Sequence, residues 1–175
     1  MAWGIQGSSV ARRVRTSIVW RPCLRAVEAV EEVAGRGLAA RAGRTLDDLE
    51  LGVLVITAVN EDAEVARRLA RHQIAWYASV TTYFEPLMAR HGFLGDYAAI
   101  RERFYGGDFE GAFDRVPDEM IAAIALAGTP ADVRAQLRRY DGLLDFVMIY
   151  SPSFALPKDA VLANHEAMIR AFAAA

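Results

Sequence analysis

The sequence predicts a helix-rich α/β fold holding about two to three parallel strands. Two apolar runs, "LGVLVITAV" at 51–59 and "LLDFVMIY" at 143–150, read as strands buried on both faces. A helical pattern follows each run. The residues between the runs are mostly helical, and that β–α alternation is the mark of a parallel sheet. A third candidate strand is "TSIVW" at 16–20.

In chain order, residues 1–22 form a basic N-terminal segment set apart from the domain at 23–175. Five arginines (Arg12, Arg13, Arg15, Arg21, Arg25) precede the first acid, Glu28. Such a start resembles a transit peptide or a nucleic-acid arm in composition, but it lacks an amphipathic period and is read as neither. Leu24, Val27, Val30, Val33 and Leu38 then recur at helical spacing up to Gly43. "TLDDLE" turns into the first long strand. Asn60 is the expected cap of the next helix, with Glu61, Asp62 and Glu64 in its first turn. That helix should run to about Tyr83, ending or kinking at Pro86. Short helical pieces broken by glycines follow, and Pro117 should open a helix that ends near Gly128. Thr129, Pro130 and Asp132 spell a capping box, and Gly142 closes that helix. After the strand and the loop "SPS", Pro157 opens a last helix with Val161, His165, Met168 and Phe172 at core spacing.

Composition narrows the function classes. A chain of 175 residues, 54% hydrophobic and 24% charged, can bury one core and is not disordered. No apolar run approaches the roughly 20 residues of a membrane-spanning helix. The lone Cys23 excludes an internal disulfide and fits a reducing, cytoplasmic setting. His72, His91 and His165 lack carboxylate or cysteine neighbours at ligand spacing, so no metal site is expected. "YGGDFEG" lies between helical pieces and reads as a turn, not a phosphate loop. Trp76, Tyr77, Tyr83 and Phe84 read as helix packing in preference to a ligand-stacking wall. Asp145, inside an apolar run, is expected to meet a helix cap or an arginine.

Two stretches carry a resemblance. "RAGRTLDDLELGVLVITAVNEDAEVARRLARHQIAWY" and "GTPADVRAQLRRYDGLLDFVMIY" are similar, in order and spacing, to the late-barrel segment of the luciferase-like monooxygenase family. The resemblance covers about residues 40–172. It implies the C-terminal portion of a TIM (β/α)8 barrel, the two runs being its seventh and eighth strands, in a chain that would be part of a longer enzyme. It also implies a flavin- or deazaflavin-dependent oxidoreductase acting on a small molecule with coenzyme F420 or FMN, with a slight lean to F420. A homodimer, or association with a complementary barrel fragment, would be the assembly; no nucleic acid or membrane partner is expected. In a barrel the working groups lie at the C-terminal ends of strands. The candidate cofactor- or substrate-binding residues are therefore Thr57 and Asn60 after the first run, and Tyr150, Ser151 and Ser153 after the second. No residue is assigned to proton transfer. The other readings are a non-catalytic α/β interaction module and an inactive gene remnant.

Overall fold

The computed structural model describes residues 16–19, 50–82 and 84–173. The expected helix at 24–43, Cys23, Tyr83 and most of the basic start lie outside those residues. Among the described residues four strands form one sheet: β1 (Thr16–Val19), β2 (Glu50–Val59), β3 (Ala125–Gly128) and β4 (Phe146–Tyr150). Each of the other three pairs with β2, in parallel. Gly52 and Val53 are matched by both β1 and β4, and Ile56 by both β3 and β4. A strand has two edges, so β4 holds one edge of β2 while β1 and β3 share the other. The candidate third strand thus forms, and both long runs are strands, the second beginning at Phe146 rather than at 143. Asp145 is exposed and precedes it.

The helices are α1 (Ala63–Val80), α2 (Phe84–His91), α3 (Leu94–Tyr105), α4 (Phe109–Asp114), α5 (Asp118–Ile124), α6 (Pro130–Leu137) and α7 (Lys158–Ala173). Asp62, not Asn60, is the N-cap of α1, its carboxylate accepting from the Glu64 N–H at 2.9 Å. Asn60 sits two residues earlier and accepts from the Asp62 N–H at 2.9 Å. The asparagine therefore shapes the turn into the cap. α1 ends at Val80, where the Thr81 hydroxyl donates to the Tyr77 carbonyl. Pro86 falls in the first turn of α2, where its missing N–H costs nothing. The capping box of α6 forms as expected, with Thr129 and Asp132 bonding each other reciprocally.

One expected helix stops early. Residues 125–128 were expected to continue α5 and instead form β3. Alanine favours a helix locally, but two contacts outweigh that preference. Residues 125–128 pair with 56–59 of β2, and the Gln136 amide brackets Ala127, accepting from its N–H and donating to its carbonyl, both at 3.0 Å.

Two cores flank the sheet. Ile56, Ala58, Ala125 and Ala127 pack against α1 and the short helices, centred on Ile74, Met88, Ile100 and Met120. Val53, Val55, Val59 and Leu126 pack on the other face against Val133 of α6 and Met168 and Ala171 of α7. The stripe of α7 is thus Asn164, Met168 and Ala171, and His165, expected on it, is exposed. No helix of the described residues is long and apolar enough to cross a membrane.

Candidate functional site

Side chains alternate along a strand, so parity decides what each face carries. Phe146, Met148 and Tyr150 of β4 lie in register with Gly52, Leu54 and Ile56 of β2. They share the α1 face; Val147 packs on the α6/α7 face. Gly52 leaves room there for the Phe146 ring, which an added Cβ would overlap. α1 buries the C-terminal half of this face, at Ile56 and Ala58. Lower down, Leu54, Phe146 and Met148 are only half-buried.

β4 ends opposite Ile56, while β2 runs on to Val59, and two buried amides fix the loop after β4. Asn164 of α7, 2% exposed, accepts from the Val59 N–H at 2.7 Å. It donates to the Thr57 carbonyl at 3.1 Å and to the Ser151 hydroxyl at 2.8 Å, joining the ends of β2 and β4. Gln73 of α1, 1% exposed, accepts with its carbonyl oxygen from Ser153 N–H at 3.0 Å and Phe154 N–H at 3.3 Å. Phe154 then stacks on Trp76, with ring centres 5.5 Å apart, and meets Phe104 and Phe113. Ala155 is held at φ +52°, a left-handed conformation that costs a non-glycine residue about 1 kcal/mol or more. The loop is built, not slack.

The five sequence candidates divide. Thr57 is fully buried on the α6/α7 face and its hydroxyl donates to the Val55 carbonyl. Asn60 borders a cavity of about 250 Å³ with Glu61, Pro130, Ala163 and Arg170, on the helix side and away from Tyr150. Ser151 is buried in the Asn164 network, its hydroxyl donating to the Pro152 carbonyl. Ser153 is exposed, while its N–H is held by Gln73. Tyr150 alone reaches the α1 face at the mouth, half-exposed, its ring 6.3 Å from that of Tyr77.

Tyr77 was expected to pack, and it does stack on Phe84, at 5.7 Å. Burial first, then the neighbouring Tyr150 phenol, push the Tyr77 pKa well above the ordinary tyrosine value. His72 stacks on Phe113 at 3.9 Å, and its Nδ1 is buried without a partner among the described residues. Burial pushes its pKa down. Sequence reasoning passed over Gln73 and Asn164. Both were detectable as polar amides falling on apolar helical stripes, where only a satisfied amide is tolerated.

A family model described as luciferase-like monooxygenase matches residues 10–145. The chain is 32% identical over 111 residues to a 5,10-methylenetetrahydromethanopterin reductase of Archaeoglobus fulgidus, covering 61% of this chain and 32% of that protein. It is also 32% identical over 117 residues to an uncharacterized protein of Mycobacterium tuberculosis, covering 65% of this chain and 34% of the relative. The solved coenzyme F420 dependent tetrahydromethanopterin reductase of Methanopyrus kandleri superposes with a TM-score of 0.69 at 21% identity, over 91% of this chain and 46% of that one. The fold is therefore the C-terminal portion of a TIM (β/α)8 barrel. The chain spans about a third of the length of the curated relatives it matches.

Proposed function

The chain belongs to the luciferase-like monooxygenase family, and from that premise we propose that it is the C-terminal part of an F420- or FMN-dependent oxidoreductase, with F420 favoured. One observation supports this above others. Tyr150 ends the last strand of a parallel sheet and Ser151 and Ser153 follow it, at the C-terminal end where barrel enzymes place their chemistry, and two buried amides hold the serines there. The lean to F420 comes from the coenzyme F420 dependent reductase that shares the fold.

When bound, such a cofactor supplies hydride or oxygen chemistry at its ring. The residues of this chain bind and orient. Tyr150 presents its hydroxyl at the mouth, and Leu54, Met148 and Trp76 supply apolar surface. Asn164 and Gln73 keep the loop from moving when a ligand docks. Ser153 lends an exposed hydroxyl at the rim.

The test is a titration of the purified chain with F420 and, separately, with FMN, following ligand fluorescence. Saturable binding, tighter for F420, is the expected result. Tighter binding of FMN would overturn the preference for F420, and no binding of either would overturn the reading as a cofactor site.

A further inference from the structure

We propose that the outer edge of β4 docks the first strand of a separate chain carrying the N-terminal portion of a luciferase-like barrel. The inference follows from the fold and does not rest on the cofactor reading above.

Every pairing in the sheet is parallel, and among the described residues β4 is paired along one edge only. The side chains register what that edge lacks. Val55 of β2 and Ile149 of β4 are register partners on one face of the sheet. Val55, in a strand flanked on both edges, is fully buried, whereas Ile149 is 37% exposed. Val53 is likewise buried, and its partner Val147 only half so. These residues are alike in chemistry, so the missing neighbour of β4 accounts for the difference. Edge strands that stay in water are guarded by lysine or proline. β4 reads "FVMIY" and holds neither. It is composed as an interior strand.

The inner surface selects the occupant. Leu54, Phe146 and Met148 lie half-buried on the α1 face, below the part that α1 covers. A barrel fills this place with layers of side chains drawn from alternate strands. A second copy paired edge to edge through β4 would extend the sheet sideways and bring nothing over these three. The remaining strands of a barrel cover both the edge and the inner surface. In a parallel barrel the last strand closes on the first. This chain superposes on only 46% of the solved barrel chain. β1, β2 and β3 lie together on the other side of β4, so the closing strand comes from elsewhere.

The experiment co-expresses the chain with a tagged N-terminal part of the Archaeoglobus fulgidus reductase, ended before the segment that this chain matches. Sedimentation gives the stoichiometry, and hydrogen exchange followed by NMR reads the β4 amides that point away from β2. A 1:1 complex is expected, with those amides slowed at least about tenfold relative to the dilute chain alone. Ile149→Lys, which places a charge in the contact, is expected to weaken the complex by about tenfold or more, and circular dichroism melts show whether that variant folds. Absence of a complex would overturn the proposal, and so would a complex that leaves exchange at β4 unchanged. A complex as tight with a folded Ile149→Lys would place the contact elsewhere. Chain that stays paired with itself through β4 in the presence of the N-terminal part would give the edge to a second copy. If Ile149→Lys fails to fold, the exchange comparison on the wild-type chain decides by itself.

Discussion

At the scale of single residues, the stakes lie in a few polar groups taken out of water. Asn164 serves a backbone donor, a backbone acceptor and a hydroxyl in one buried place. Asn164→Ala leaves them unsatisfied and is expected to lower stability by about 2–3 kcal/mol, measured by urea unfolding. A loss under half that would show that water takes over the role. His72 sets a pH dependence. Its protonated form is disfavoured in the folded protein by burial above all; Glu110 and the Phe154 backbone favour it by less, and Arg68 opposes it least. The unfolded chain takes up a proton near the ordinary histidine value while the folded chain resists. Stability should therefore be full above about pH 6.5 and fall as the pH drops below it. His72→Gln should flatten unfolding curves between about pH 7.5 and 5.5; a slope equal to wild type would remove His72 as the cause. Ala155 belongs here too. Glycine adopts its φ without a Cβ penalty, so Ala155→Gly is expected to raise stability by up to about 1 kcal/mol in the same assay.

At the scale of elements, local signals and tertiary contacts can be weighed one against the other. The box at Thr129 and Asp132 was readable from four residues and formed as read, since each partner lies within one helical turn of the other. Thr129→Ala should cost about 1 kcal/mol by urea melts, and an unchanged midpoint would mean that Pro130 and the packing of Val133 suffice to start α6. β3 is the opposite case. Nothing within Ala125–Gly128 announces a strand; its partners lie about 70 residues upstream in β2 and about ten downstream at Gln136. The site divides the same way. Tyr150, Ser151 and Ser153 were legible because strand ends are legible. Tyr77 and Gln73 were not, since their roles depend on how α1 crosses the sheet.

At the scale of the molecule, the sheet is a sector of a barrel. Among the described strands β4 pairs with β2 alone, and Ile149 on it is exposed, as are Leu162 and Ile169 on α7. An unpaired edge beside exposed apolar residues favours association. The purified chain is expected to self-associate with rising concentration, and Ile149→Lys should shift its sedimentation toward the monomer. A mass distribution unchanged by that substitution would place the contact elsewhere.

The sequence by itself determined the parallel α/β class, both long strands, the α6 cap and the family resemblance, because each is written in residues near one another or in a periodic pattern. Only the tertiary structure decided which face each strand residue serves, and so that Thr57 is buried on the helix side while Tyr150 opens onto the mouth. It alone brought Asn164 to Thr57 and Ser151, and Gln73 to Ser153. The physical reason is separation along the chain. A buried amide is tolerated only where its partners arrive, and here they come from helices and strands up to 107 residues apart.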